Sequence, residues 1–274
     1  MRALNKNLLV GATITATTAA TGYSFTDMVN DSRLCRVGRS TTTSLVLHMD
    51  LLTAQNCTYF AILNHNITDT ATVTLEYSYD NSSWTSRAIT IYTTTTYNRI
   101  TPEGDTRVTS TGDTRVVTVD TPYESICEVN PAPFARYWRL TITDTKNTDG
   151  YIEMGMVYLG DYIQLPNMAP DQQIPRRTNS DKSFNETRQV QGYKKVQYIE
   201  ATVNFPFVSD AELASCDLLF AENNITDPFI LLVWANNLDV QPPIYCVIEK
   251  LSEPKRNGTK PTSWNMSLSF TECK

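Results

Sequence analysis

The sequence predicts a mainly β protein, in which an N-terminal β-sandwich precedes a small C-terminal α+β domain. In Arg136–Asp144 and Tyr151–Leu159, apolar and polar residues alternate with a period of two, as side chains do along a strand. The residues that join the two segments favour a turn, so we expect antiparallel neighbours. Similar short segments bounded by turns recur upstream, at a density typical of a sandwich or barrel: Ser44–Leu52, Tyr59–Leu63, Ala71–Tyr79, Ser86–Tyr92 and Arg115–Asp120.

The N-terminal segment Met1–Ala20 is predicted to contain a strand. Its basic start and mildly apolar run imitate a signal peptide. Threonines interrupt the run at every second position, however, and place Ile14 and Ala16 on one face. This alternation favours a strand over a continuous hydrophobic block.

The C-terminal part is predicted to combine strands with one helix. Lys195–Phe207 alternates and places Ile199, Ala201, Val203 and Phe205 on one face. Ser209-Asp-Ala-Glu212 forms a capping-box pattern, so a helix is expected from Asp210 to about Glu222. The helix is predicted to bury three apolar side chains, Leu213, Leu218 and Phe220. Three further strands are predicted at Phe229–Trp234, Ile244–Leu251 and Trp264–Phe270.

Differences in periodicity and composition divide the chain into three regions. Residues 1–160 carry the strand pattern of the predicted sandwich. Residues 161–192 contain Pro166, Pro170 and Pro175 among polar residues with little periodicity, which predicts a linker or an extended arm. Residues 193–274 form the predicted small domain.

Four segments of the first region resemble a known family. These are the opening Asn7–Ala16 strand, the stretch from Phe60 to Trp84, the segment Phe134–Asp144, and Asp149–Gly160. In this order they look like the discoidin-like jelly roll, of the coagulation-factor C-domain type, found in tail and baseplate proteins of tailed bacteriophages. The resemblance covers roughly residues 1–160 and implies the fold more strongly than an activity.

The resemblance implies a non-enzymatic structural protein of a tailed-phage virion, placed in the tail tip or baseplate region. Such a protein is made in the host bacterial cytoplasm and binds other virion tail proteins. Copies are expected to form a closed ring or a trimer, because symmetry multiplies weak contacts. The alternative function is a carbohydrate-binding module that attaches to host-surface glycans.

For the glycan-binding alternative, the resemblance points to loops at one end of the jelly roll, in some relatives beside a structural calcium. A sugar site combines an aromatic platform with carboxylates, amides and an arginine. The competing interpretation is that the aromatic residues pack in the core and the acids are solvated. Gly22–Asp31 offers oxygen ligands of the kind that calcium binds. The candidate loop residues are Tyr23, Phe25, Asp27, Asn30, Asp31, Trp84 and Arg87.

Composition argues against several other functions. The net charge of −6 and the pI near 5.0 disfavour a nucleic-acid partner, which requires clustered basic residues. The chain has only two histidines and neither a nucleophile elbow nor a phosphate-binding loop, so we expect no enzyme and no cofactor. Six widely spaced cysteines without a Cys-x-x-Cys pair predict free thiols and no metal site. No stretch is apolar enough to predict membrane insertion.

Overall fold

The computed structural model describes residues 1–30, 32–89, 95–98, 116–119, 124–170, 172, 174–178, 181–184, 190–193, 197–233, 243–258 and 263–273. Up to Gly160 the elements are β1 (Arg2–Leu4), β2 (Thr13–Ala16), α1 (Phe25–Asn30), β3 (Gly38–Arg39), β4 (Ser44–Asn56), β5 (Tyr59–His65), β6 (Thr72–Ser78), β7 (Thr85–Ile89), β8 (Thr95–Asn98), β9 (Val116–Val119), β10 (Glu124–Glu128), β11 (Phe134–Thr143) and β12 (Glu153–Gly160). The remaining elements are β13 (Ile163–Gln164), β14 (Arg176–Thr178), β15 (Asp181–Phe184), β16 (Val190–Tyr193), β17 (Gln197–Val208), α2 (Asp210–Asn223), β18 (Phe229–Leu232), β19 (Ile244–Leu251), β20 (Lys255–Arg256) and β21 (Trp264–Glu272).

The chain folds into two compact units, Leu8–Gly160 and a second unit made of Met1–Asn7 with Asp161–Lys274. This differs from the predicted division in two places. The first strand, β1, pairs with β13 and β18 of the second unit rather than with the predicted N-terminal domain. Part of the predicted linker is also sheet, because β13 pairs with β1 and β14 pairs with β17. Buried Ala3 and Leu4 explain why β1 joins this sheet.

The unit Leu8–Gly160 is a β-sandwich, which confirms the prediction of a mainly β fold with packed sheets. One sheet has five strands in the order β2-β4-β11-β6-β7, and the other has four in the order β10-β5-β12-β3. Alternate residues of both sheets meet in one hydrophobic core, including Leu47 and Leu140 from the five-stranded sheet and Ile62 and Leu159 from the four-stranded sheet. Trp138 is fully buried at its centre and packs against Tyr77 with ring centroids 5.6 Å apart.

The burial of residues along β12 differs from the strict alternation predicted for this strand. Strict alternation along the predicted strand Tyr151–Leu159 puts Ile152, Met154, Met156 and Tyr158 on one side, yet the core contains Ile152 and Met154 together with Val157 and Leu159. The strand changes face at Gly155, where a β-carbon would lie 2.4 Å from the carbonyl oxygen of Leu34. Only glycine fits this close backbone approach, and no periodicity in the sequence reveals it.

The second unit contains a larger sheet and the helix α2. Its sheet runs β13-β1-β18-β19-β21-β17-β14, with β20 paired to β21. The alternation predicted for β17 is confirmed, because Ile199, Ala201, Val203 and Phe205 are all buried.

The capping box of α2 is confirmed, because the Glu212 backbone N–H donates to Ser209 Oγ and the Ser209 N–H donates to Glu212 Oε2. Of the three residues predicted to be buried, Leu213 packs against the core, but the prediction is wrong for the other two. Leu218 is 49% exposed and Phe220 is 36% exposed, whereas Cys216 and Leu219 are buried. Apolar residues lie on all sides of the helix, so the sequence pattern did not choose a face.

Some predicted segments fall partly outside the described residues. The ends of the predicted strand Ser86–Tyr92 and of Arg115–Asp120 do so, as does Trp234. Strand β8 pairs with β9, which lies within the predicted strand Arg115–Asp120, as a two-stranded antiparallel sheet. All six cysteines are free in the structure.

Candidate functional site

The outer face of the five-stranded sheet carries an organised set of polar and aromatic side chains. Partners in register share a face of a sheet, so rows of residues cross the strands. One row runs from Thr13 through Asp50 to Tyr137. The next row runs from Thr15 through His48 and Arg139 to Glu76. Residues at these positions alternate with buried core residues along β4, β6 and β11, so they face away from the core.

The first ion pair of this face joins Asp50 to Arg136. The guanidinium donates from Nε to Asp50 Oδ1 at 2.7 Å and from Nη2 to Oδ2 at 2.8 Å, which is the bidentate geometry of a strong pair. Asp50 Oδ1 also accepts from the backbone N–H of Leu52 at 2.8 Å. The bonds from Arg136 hold the pKa of Asp50 below its usual value, so this carboxylate is ionised and fixed in place.

The second ion pair joins Glu76 to Arg139 on the neighbouring row. Arg139 Nε donates to Glu76 Oε2 at 2.6 Å, and this bond lowers the pKa of Glu76. The guanidinium carbon of Arg139 lies 4.4 Å from the centroid of the Trp84 ring, within the range of a cation–π contact. The arginine therefore links a carboxylate to an aromatic ring and fixes the orientation of the half-buried Trp84.

The turn before β7 positions Trp84. Asp80 Oδ1 accepts from the backbone N–H groups of Ser82 and Ser83, at 2.9 Å each, and from Ser78 Oγ at 3.0 Å. These bonds lower the pKa of Asp80. Asn81 occupies the left-handed region with φ of 60°, which asparagine tolerates better than most residues. The Asp-Asn-Ser-Ser sequence therefore builds a tight turn directly before Trp84, whose ring lies against Arg139 of β11.

These elements enclose a surface cleft of about 240 Å³, called here the outer-face cleft. Trp84 and Tyr137 supply its aromatic surface, and Asp50 supplies a carboxylate. The side chains of Met49 and Trp138 are buried in the core, so these residues contribute to the floor. The cleft is lined by Thr13, Thr15, His48, Met49, Asp50, Asn81, Trp84, Tyr137 and Trp138.

The structure places the loop residues predicted from the sequence at several separate positions. Trp84 lines the outer-face cleft, but Tyr23, Phe25, Asp27 and Arg87 do not. Phe25 is 3% exposed and packs in the core as part of the short helix α1, as the competing interpretation expected. Asp27 lies on the exposed side of that helix, and so does Asn30. Asp31 lies outside the described residues.

Tyr23 and Arg87 have partners of their own. The Tyr23 ring lies under the guanidinium of Arg39, 4.1 Å from its carbon, and Arg39 also covers Tyr151 at 4.4 Å. Arg87 is paired in register with core residue Leu75, and its Nη1 donates to the Asn130 carbonyl at 2.7 Å. Arg87 therefore fixes a neighbouring loop instead of joining Trp84.

Sequence reasoning missed most of the residues around the cleft. His48, Asp50, Glu76, Tyr137 and Arg139 all lie within strands that were predicted, at positions that alternate with apolar residues. Charges and an aromatic ring at outward positions of neighbouring strands were the available signal. The register between strands, which brings Asp50 beside Tyr137, could not be read from that alternation.

A metal role receives no support from the residues the structure describes. Among them, no group of three or more His, Cys, Asp or Glu side chains is arranged to hold a metal ion. The segment suggested for calcium contains the helix α1, and Asp31 at its end is not described. No helix within the described ranges is long and apolar enough to cross a membrane.

No protein-family model and no curated protein matches the sequence. Among solved structures, the lectin domain of lectinolysin complexed with Lewis B antigen is 14% identical with a TM-score of 0.38, over 57% of this chain and 96% of that chain. A Streptococcus pneumoniae fucose binding module is 10% identical with a TM-score of 0.38, over 57% and 95%. The module CpGH89CBM32-5 from Clostridium perfringens, complexed with GalNAc-β-1,3-galactose, is 14% identical with a TM-score of 0.38, over 57% and 100%.

These structural neighbours are carbohydrate-binding modules at low sequence identity.

Proposed function

We propose that the protein is a carbohydrate-binding module whose site is the outer-face cleft. The observation that carries this proposal is the position of Trp84, an aromatic ring at the edge of a cleft that also contains Asp50 and His48. Sugars present apolar ring faces together with hydroxyl groups, so a site for them requires an aromatic surface next to hydrogen-bonding groups.

The polar groups of the cleft match hydroxyl chemistry. A hydroxyl group both donates and accepts, and the cleft offers both functions from Thr13, Thr15, Asn81 and Tyr137. The ion pairs hold Asp50 and the Arg139 that covers Trp84 before any ligand arrives. Such preorganisation reduces the entropy lost on binding. A volume of about 240 Å³ lies below the roughly 300–1,000 Å³ of pockets for drug-sized ligands and suits one terminal sugar residue.

The same geometry favours binding over hydrolysis. A glycosidase requires one carboxyl group that stays protonated near neutral pH in order to protonate the leaving oxygen. Asp50 and Glu76, the two carboxylates of this face, instead have pKa values lowered by their arginine partners. Neither is suited to act as a general acid, and we propose a non-enzymatic role.

The proposal is tested by measuring binding of the full chain to immobilised neutral sugars, including galactose, glucose, fucose and N-acetylglucosamine. We expect binding to at least one, and a loss of about fivefold or more for Trp84→Ala, because stacking on an aromatic ring contributes on the order of 1 kcal/mol or more. Tyr23→Ala is the matched control, since it removes an aromatic ring that does not line the cleft. The proposal fails if the wild-type chain binds none of these sugars, or if the two variants lose affinity equally.

The virion assignment implied by the resemblance stays a prediction, as do the discoidin-like jelly roll, the tail-protein partners and the ring or trimer of copies. A glycan-binding module and a tail component are compatible roles for one molecule. Mass spectrometry of purified phage particles tests this assignment, and a particle fraction that lacks the protein would contradict it.

A further inference from the structure

We infer that the outer-face cleft selects uncharged saccharides and rejects acidic ones, because each arginine of this face is already paired with a carboxylate. This inference rests on the proposed glycan-binding function and specifies the class of sugar. It follows from the pairing of four charged side chains, Asp50 with Arg136 and Glu76 with Arg139.

The pairing neutralises both arginines and occupies part of the hydrogen-bonding edge that an acidic sugar would require. A free guanidinium binds a carboxylate through two parallel N–H bonds. In Arg136, the N–H groups of Nε and Nη2 already donate to both oxygens of Asp50. In Arg139 the Nε donates to Glu76, and the planar face lies against Trp84. The ligand carboxylate would have to displace an internal partner of the same charge.

The charge balance around the cleft points in the same direction. The two ion pairs cancel, so the face has no net positive charge from these residues to attract an anion. A ligand carboxylate beside Asp50 would also meet a like charge with a lowered pKa, which does not take up a proton to relieve repulsion at neutral pH. The oxygens of Asp50 and the remaining N–H groups of the arginines suit neutral hydroxyls instead.

The experiment compares two probes that differ only at C6, galactose and galacturonic acid, each immobilised through the same linker; glucose and glucuronic acid form a second pair. We expect the wild-type chain to prefer the neutral member of a pair by about tenfold or more, the effect of one charge-assisted bond. In Asp50→Asn, the amide oxygen can still accept from Leu52 N–H, but Arg136 loses its counter-charge. We expect this variant to shift the preference at least tenfold toward the acidic member.

Glu76→Gln is the second variant, and it is expected to shift the preference in the same direction through Arg139. Glu153→Gln is the matched control, because it frees Arg39 by the same chemical change at an ion pair of the four-stranded sheet, away from the face that holds Asp50 and Glu76. Circular dichroism and size-exclusion profiles establish that each variant is folded before binding is measured.

The outcomes separate the two proposals. If the wild-type chain binds neither neutral nor acidic sugars, the glycan-binding function fails. If it binds sugars but treats both members of each pair alike, or prefers the acidic one, the selectivity inference is overturned while the binding function stands. The inference is also overturned if Asp50→Asn and Glu76→Gln are folded and shift the preference no more than Glu153→Gln.

Discussion

The two sheets of the sandwich share one core, but the residues on their outer faces differ in exposure to solvent. On the five-stranded sheet, outward positions of β4 and β11 hold His48, Asp50 and Tyr137, and these residues are half-buried or exposed. On the four-stranded sheet, outward positions of β5 and β12 hold Tyr59, Ala61 and Tyr158, and these are buried. Strand β4 therefore alternates in burial, whereas β5 is buried at nearly every position.

The difference shows what makes a sheet face available for binding. Tyrosines occur on both outer faces, so residue type does not distinguish them. Tyr137 lies beside an ion pair and lines a cleft, while Tyr158 is 3% exposed. A buried tyrosine contributes to stability through the apolar area it removes from water. A half-exposed tyrosine on an ordered face retains surface with which it can contact a ligand.

The largest expected effect comes from truncating one tyrosine on each face. Tyr158→Ala is expected to lower the free energy of unfolding by about 3–5 kcal/mol, the usual cost of removing a buried aromatic side chain. Tyr137→Ala is expected to lower it by about 1 kcal/mol or less, because the ring is only half-buried, but to weaken sugar binding. Chemical denaturation of both variants measures the difference. Equal losses of stability would contradict the contrast between the two faces.

A second test uses the two histidines, one on each sheet. His65 ends β5, is buried, and accepts from the Ile67 N–H through Nδ1 at 3.2 Å. Burial lowers its pKa to about 4, below the value of about 6.5 expected in the unfolded chain. Between these values the unfolded state binds more protons. The contribution of neutral His65 to the free energy of unfolding is therefore complete above about pH 6.5. It is lost as the pH falls toward about 4, and the loss is on the order of 3 kcal/mol.

Unfolding measured from pH 7 to pH 4 tests this dependence. His65→Asn keeps an oxygen near the position of Nδ1 but cannot titrate, so its unfolding free energy should vary less over this range. His48→Gln is the control on the five-stranded sheet, where the ring is exposed. The lowered pKa of His65 would be contradicted if the stability of a folded His65→Asn variant fell as much as that of the wild-type chain between pH 6.5 and 4.

The smallest expected effect lies outside the sandwich. Ser209→Ala removes the side chain that caps α2 and is expected to cost about 1 kcal/mol of stability. Because the cleft belongs entirely to Leu8–Gly160, sugar binding should not change. Thermal unfolding and sugar affinity are measured on the same preparation. Reduced affinity in a folded Ser209→Ala variant would place part of the site in the other unit.

The local sequence pattern predicted those helices and strands that depend on residues close together in the sequence. The strand alternation of β4, β11 and β17 and the capping box of α2 depend on residues a few positions apart. The buried side of α2 was predicted wrongly because its apolar residues surround the helix. The domain boundary differed because β1 pairs with strands more than 150 residues away, and such pairing has no local signal.

The sequence by itself determined that the chain forms a mainly β fold and where most of its strands lie. Only the tertiary structure decided which aromatic and charged residues meet. Strand register set Asp50 beside Tyr137 and Arg139 beside Glu76, and it turned Arg87 away from Trp84. The physical reason is that alternation specifies the face of a residue, whereas its neighbours across the sheet depend on pairing between distant strands.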